Sequence, residues 1–535
     1  MRGLSLGLSL GAQQAGGGAP AFDFYVDSVN GDDGNDGTSE AAAFQSFAPI
    51  TWANDLRVGL AAGSSAAPFS VGSATGVTVE GYGDLAGAGL PVIRGDEVIT
   101  GTWATSADRS DALDNTYSID AALDDLGFIT AFEGDLPLKW VASAAAVDAE
   151  AGTFFVAGNA APAEAGTYTM YIHPRGSTNP NSDGKTYAYA RRAAPALGVG
   201  GTLRNAVAMR TVTRNGIRFG GGAGRLENAL LIDVSPVHDA LMGSGLYQKV
   251  AVFNRTVDNR EGHIGLEFFA STATGLTGAY RRCVYVGNGL GMQLAFGGHS
   301  GDGSSYAQIE SEDCAASGAR FGLSIEAVEI VATRPRIVGD RMDIFSQTSG
   351  TVTVTDPWID VRGGAVMTGA TFGPTATVDG LRLYGDTSTA GIAGWVDLTL
   401  SRSVFVRDTT VFRSRGPWRT TGSTLAMTGV AYDGNFQRNF AAASYSGDVN
   451  VFGAAINAEV AGTNRTTLSA HQTATGQDAN SVVMAPAVAD AANGNFTLTA
   501  SGLPANVGLE RDPTCQNYTP IPATLAEAEA WIVGA

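Results

Sequence analysis

Between about residues 200 and 450 the apolar positions come in short β-branched and aromatic runs, each closed by a polar cluster of Gly, Asn or Asp, with little of the three-to-four spacing of a helix. Such runs predict short strands. The polar clusters align as turns: Asn215-Gly216-Ile217, His238-Asp239-Ala240-Leu241, Gly262 to Leu266, Asn288-Gly289-Leu290, Gly318 to Phe321, Gly339 to Met342 and Gly363 to Val366. Counted from Gly216 through Asp239, Ile264, Gly289, Ala319, Asp340 and Gly364, the steps are 23, 25, 25, 30, 21 and 24 residues. A repeat of that size predicts one-rung coils that bury their apolar side chains only by stacking. The long step coincides with 297-GGHSGDGSSY-306, which predicts a loop projecting from the coil.

The acidic stretch 24-FYVDSVNGDDGNDGTSEAAAF-44 raises the question of calcium. An EF-type loop needs oxygen ligands at alternate positions, but Gly34 falls at the third position counted from Asp32 and at the fifth counted from Asn30. The loop register does not support calcium, and no cofactor is expected. Asn30-Gly31, Gly34-Asn35 and Asp36-Gly37 are read as consecutive tight turns.

Composition narrows the function. A formal charge of −19 argues against nucleic acid as a partner, since such binding draws on Lys and Arg contacts to phosphate. The lysines are Lys139, Lys185 and Lys249, so most of the positive charge is arginine. No apolar run is long enough to cross a bilayer, so membrane insertion is not expected. Cys283, Cys314 and Cys515 are too few for a disulfide framework. Cys283 and Cys314 precede their turns by six and five residues and are expected near each other on adjacent rungs, as buried thiols in preference to a disulfide. The N-terminal MRGLSLGLSLGAQQAGGGAP is charge-poor and Gly-rich, which suits a flexible or partner-bound tail. A signal peptide, with Leu4 to Leu10 as its apolar part, is the other reading.

Four segments in order resemble the right-handed parallel β-helix proteins of the pectate-lyase-like superfamily. The YVD strand with its Asn/Asp/Gly turn resembles the family's opening strand, ahead of a helix expected within Glu40 to Leu56. The stretch 77-VTVEGYGDLAGAGLPVIRG-95 is similar to its first rung, 164-EAGTYTMYIHPRGSTNPNSDGKTYAYARR-192 to its β excursion, and 485-APAVADAANGNFTLTASGLPANVGL-509 to its closing element. The resemblance implies an all-β, right-handed single-stranded parallel β-helix with an N-terminal helical cap and a small β excursion. Its expected divisions are a docking tail over 1–22, opening strand and helix cap over 23–70, first rungs with the excursion over 71–199, the main coil over 200–450 and a closing segment over 451–535.

This fold hosts many chemistries, so function has to be argued from sites. The N-terminal tail resembles the starts of phage-like structural proteins. That implies a virion spike or fibre on tail or head, a homotrimer at the virion surface, whose partners are host surface polysaccharide and, through the tail, other virion proteins. The competing class is a secreted polysaccharide lyase or glycoside hydrolase. Asp239, Glu261 and Glu267 fall on successive rungs, where strands about 4.8 Å apart would bring outward carboxylates to working separation for acid/base hydrolysis. His238 and His263 lie beside them, and Asp302 and Glu326 flank the inserted loop, among Glu310, Glu312 and Asp313. The other reading of these acidic positions, and the favoured one, is a solvated polar residue or turn cap. Trp358, Trp395 and Trp418 are candidates for stacking on sugar rings, or for core packing. No spacing among these residues fixes a reaction, and a non-cleaving binder is the expectation.

Overall fold

The computed structural model describes residues 22–534 apart from 213–214, 221, 235–237, 257–262, 271–273, 288–292, 301–304, 319–320, 339–341, 362–369, 374, 386–391, 395–396, 408–417, 434–439, 454–455, 457, 510–515 and 517. Within them the chain winds into a right-handed parallel β-helix of about 13 turns, as the sequence leads one to expect.

Three faces follow one another around each rung. The first face stacks Asn215–Phe219, His238–Met242, His263–Ala270 and Gln293–Ser300 in parallel. The second begins with Phe24–Val26, continues through Arg57–Ala61, Thr78–Tyr82 and Thr202–Met209, and reaches Thr274–Arg281 and Ser305–Glu312. The third stacks Val284–Val286, Ala315–Ser317, Arg336–Val338 and Trp358–Val361. The clusters read as turns at Asn215-Gly216-Ile217 and His238 to Leu241 are therefore strand. Gly216 owes its place to a close approach, because a Cβ there would lie 2.2 Å from the Asp239 carbonyl oxygen of the next rung.

The corner between second and third faces is one residue in the left-handed region on each rung. Asn205, Asn228, Lys249, Arg282, Asp313, Arg334, Asp356, Gly380, Arg402, Gly429 and Val449 all have φ between 45° and 73°. This bend costs a non-glycine residue about 1 kcal/mol. It keeps neighbouring rungs in register, so inward side chains form columns. Tyr247 stacks on Tyr280 at 5.3 Å, Phe405 on Tyr432 at 5.1 Å and Tyr432 on Phe452 at 5.8 Å.

The helix expected within Glu40 to Leu56 is not formed; a single 3-10 turn, Glu40–Ala42, stands in its place. The backbone there pairs with the opening strand instead: Phe44 N–H donates to the Tyr25 carbonyl at 2.9 Å and the Phe44 carbonyl accepts from Asp27 N–H at 2.8 Å. Pro49 would also break a helix at this point. Phe44, Phe47 and Ile50 close the end of the core as irregular chain. The acidic loop satisfies itself: Asp27 accepts from the backbone of Val29 and Asn30, Asp32 from Gly34, Asp33 from Ser46 and Asp36 from Thr38.

Between Asp96 and Ala190 the chain leaves the coil to form two four-stranded sheets around a core of their own. Arg210, almost fully buried, ties them to the coil by donating to Asp96 at 3.0 Å and lying 4.4 Å from the Phe132 ring.

The C-terminal segment runs back along the outside of the third face. Trp358, Tyr384, Val404, Ala431 and Val451 bury against Ala491, Phe496 and Tyr518. Val207, Leu230, Ala251 and Phe253, many rungs earlier, bury against Ala528 and Ile532 of the helix Leu525–Val533. Lys249 caps that helix, its Nζ donating to the Ile532 carbonyl at 2.8 Å.

The last rung is closed by a buried polar knot. Asp478 accepts from His471 Nε2 at 2.9 Å, Ser481 Oγ at 2.6 Å and Asn450 Nδ2 at 2.8 Å. Burial alone would push this carboxyl up, but the bonds from His471, Ser481, Asn450 and Tyr445 outweigh it and hold the pKa below the ordinary aspartate value. A carboxyl depressed in the folded state stabilises at full strength above its unfolded pKa near 4, and that stability is lost as pH falls through the lower folded value. Limited proteolysis should thus find residues 467–509 protected at pH 7 and cleaved first as pH drops below about 4. Asp478→Asn should remove about 3 kcal/mol at neutral pH, read by denaturant unfolding, and flatten this acid dependence.

Candidate functional site

On the first face, Leu241 pairs with Glu267 across one rung, so Asp239, two residues earlier, lies opposite Gly265. With about 4.8 Å between strands and about 3.3 Å per residue along them, the Asp239 and Glu267 backbones stand roughly 8 Å apart. Both side chains are buried, Asp239 at 0% exposure and Glu267 at 3%, where solvated outward carboxylates are expected from sequence. His238, partly exposed, places Nε2 2.9 Å from Glu267 Oε2. The Tyr247 hydroxyl donates to the Glu267 carbonyl at 2.7 Å and fixes the strand from inside the core. This is a carboxylate–imidazole pair lying just under the surface, with a second carboxylate one rung away.

Glu261, Asp302 and Trp395 lie outside the described residues. His263, Glu326 and Trp418 belong to described strands, with their side chains outside what is described. Trp358 is 6% exposed, edge-on to Tyr518 and covered by Arg336 at 4.3 Å, so its ring packs instead of offering a face to a sugar. Lys249, the coil's only lysine, is spent on the terminal helix, and burial with Arg282 nearby holds its pKa below the usual lysine range.

Sequence reasoning passed over the second face. Its inward positions continue the core through Val352 and Val354, Ala376 and Val378, Leu398 and Leu400, Leu425 and Met427. Over five successive rungs the outward positions are Thr351, Thr353, Thr355; Thr375, Thr377, Asp379; Asp397, Thr399, Ser401; Thr424, Ala426, Thr428; and Ser444, Ser446, Asp448. Every one of these side chains is short, and most are exposed. Earlier rungs of the same face carry Arg225, Glu227, Gln248, Arg281, Glu310, Glu312 and Glu329 outward, several of them in ion pairs. The result is a flat hydroxyl-rich plane about 19 Å along the coil by about 13 Å across. Asp379 is held by Arg402 and Ser401, and Asp448 by Asn480, which leaves Thr351, Thr353, Thr375, Thr377 and Thr399 as its open centre. The signal for it stands in the sequence as 351-TVTVT-355, 375-TATVD-379 and 397-DLTLS-401.

No family model matches the chain, and no curated protein matches it. Among solved structures it is similar to the complex of XylC with xylose, at 8% identity and a TM-score of 0.50 over 87% of each chain. It also matches a glycoside hydrolase at 8% identity and a TM-score of 0.29, over 82% of this chain and 94% of that one. At such identities the first likeness shows a shared fold, and the second carries no argument. Among the described residues no group of His, Cys, Asp and Glu could hold a metal ion, and no helix is long and apolar enough to cross a membrane.

The buried pair makes a stability prediction. His238→Ala should cost about 1–2 kcal/mol in denaturant unfolding. In a double-mutant cycle with Glu267→Gln the two losses should be clearly non-additive, as for groups in direct contact.

Proposed function

We propose that the protein binds an uncharged surface polysaccharide across the second-face plane, as a spike or fibre of a phage-like particle carried by residues 1–22. The observation that carries the reading is the change of composition along one face, from long charged side chains to short ones, mostly hydroxyls. Solvation does not favour short over long polar groups, whereas a partner lying flat against the sheet does. The plane covers roughly 250 Å², well under the 800 Å² or so that each partner gives to a stable protein interface. It is also poor in the aromatic and apolar groups that such interfaces use. A thin chain rich in hydroxyls fits both limits, and three aspartates at the margin disfavour an anionic one. A single site of this kind is weak, and a homotrimer would multiply it through avidity. The neighbour solved with xylose makes xylan a sensible first ligand.

Affinity electrophoresis in gels containing neutral polysaccharides should retard the wild type. Thr353→Arg combined with Thr377→Arg, which raises long charges from the centre of the plane, should abolish the retardation. Gln248→Arg, outward on an earlier rung of the same face, should not change it. Sedimentation should give a trimer, and a monomer in solution would remove the avidity part of the reading.

A second reading, a secreted glycoside hydrolase, is favoured by one observation: Asp239 and Glu267 stand on adjacent strands with backbones roughly 8 Å apart, and glycosidases work with a pair of neighbouring carboxyl groups. Glu267 beside His238 would then act as general acid and Asp239 would activate water, once local opening of these rungs admits a sugar. Incubation with polysaccharide is expected to release no oligosaccharide. Steady release, abolished by Asp239→Asn or Glu267→Gln, would establish the hydrolase in place of the binder.

A further inference from the structure

Two of the chain's three cysteines fall in one column of the coil. Cys283 follows the left-handed corner residue Arg282, and Cys314 follows the corresponding Asp313 one rung later. The strands that leave these corners pair in register, Val284 with Ala315. The Ala315 N–H donates to the Cys283 carbonyl at 2.8 Å, so the two residues repeat the same local conformation on neighbouring rungs. Their thiols point inward, at 0% and 2% exposure, and lie within hydrogen-bonding reach of each other. Elsewhere the same column holds Ala206, Ala229, Val250, Pro335, Pro357 and Leu381, each directly after its corner residue, so packing there makes no demand for sulfur.

The rungs concerned are the longest of the main coil. From corner to corner the steps are 33 residues from Lys249 to Arg282 and 31 from Arg282 to Asp313, against 21 from Asp313 to Arg334 and 22 from Arg334 to Asp356. Cys283 follows the corner that opens the 31-residue step and Cys314 the corner that closes it, so the two cysteines bracket one long rung.

We propose that Cys283 and Cys314 form a disulfide between adjacent rungs when the chain folds in an oxidising compartment. The oxidant is a small-molecule disulfide of the glutathione class. One cysteine thiolate attacks it, giving a mixed disulfide and releasing one small thiol. The second cysteine thiolate attacks the protein sulfur of that mixed disulfide and releases the other. The two cysteine protons pass through solvent to the two small thiolates released, so two small thiols are formed and the two electrons from the cysteines reduce the small disulfide. The spacing of adjacent strands, about 4.8 Å, lies within the Cα separations that disulfides span. Both thiols are buried in the finished coil, out of reach of a dissolved disulfide. The bond therefore forms while these rungs are still open, and afterwards it is shielded from reductant. It ties one end of that long rung to the other.

The test uses the full chain refolded in a glutathione redox buffer and a parallel sample refolded with excess reductant. After unfolding in denaturant without reductant, free thiols are alkylated and the protein is digested. The oxidised sample should yield a peptide pair linked through Cys283 and Cys314, with Cys515 as the one labelled cysteine; label on all three, or a link to Cys515, would overturn the proposal. The wild type should melt at higher temperature oxidised than reduced. The double variant Cys283→Ala with Cys314→Val should melt at the same temperature in both. An equal melting temperature for the two wild-type samples, with the linked peptide present, would refute the stabilising role assigned to the bond.

Discussion

The left-handed residue at the corner between second and third faces is the constraint on which the rest of the molecule depends. It recurs once per rung, and it is occupied by Asn, Lys, Arg, Asp, Gly and even Val. The same bend in every rung makes each strand leave the corner at the same phase, which keeps inward side chains over inward side chains. A rung that turned one residue early would send its whole apolar set outward. The aromatic stacks, the thiol column and the hydroxyl plane are consequences of this one repeated geometry. The penalty of placing Arg or Val there is small beside the burial it secures, since one large apolar side chain contributes about 1.5–3 kcal/mol.

The corner also explains why the charges that line it are paired. Asp313 holds Arg334 on the next rung through two bonds, and Asp379 holds Arg402 in the same way. Residues chosen for an exposed bend are free to be charged, and the register then brings opposite charges one rung apart. Pairs of this kind are worth under 1 kcal/mol each at the surface. Their value is in registration more than in net stability.

How far the sequence speaks follows from which interactions are local and which are not. The repeat length and the adjacency of Cys283 and Cys314 were legible because apolar columns leave a periodic trace, whereas the stretch 297–306, read as a projecting loop, is strand over 297–300 and 305–306, with 301–304 outside the described residues. The trace does not mark which residues bend, since a corner occupied in turn by Asn, Lys, Arg, Asp and Gly has no compositional signature. The Asn215 and His238 segments consequently read as turns although they are strands. The helix expected after Glu40 fails because its backbone is taken by the opening strand, a pairing that local propensity does not contain. The buried state of Trp358 depends on Tyr518, which packs on it from a distant position, and that of Asp239 and Glu267 is set by the neighbouring rungs. The hydroxyl plane was written plainly in 351-TVTVT-355 and its successors, yet threonine is so ordinary in strands that only the three-dimensional stack of five rungs gives the pattern meaning.

The C-terminal segment alters how such a coil can come apart. A stack of rungs that touch only their neighbours is a nearly one-dimensional chain of units, which melts from its ends one unit at a time. Here the last fifty or so residues return along the third face, and the helix Leu525–Val533 rests on rungs built from residues 207 to 253. Loosening a terminal rung therefore strains a strut anchored near the opposite end, and loosening the first rungs strips the helix from Lys249. The two ends of the rod share one fate. A long, thin object assembled from weakly coupled layers is thereby given the cooperative unfolding of a single body, and resistance to peeling under a pull applied at either tip.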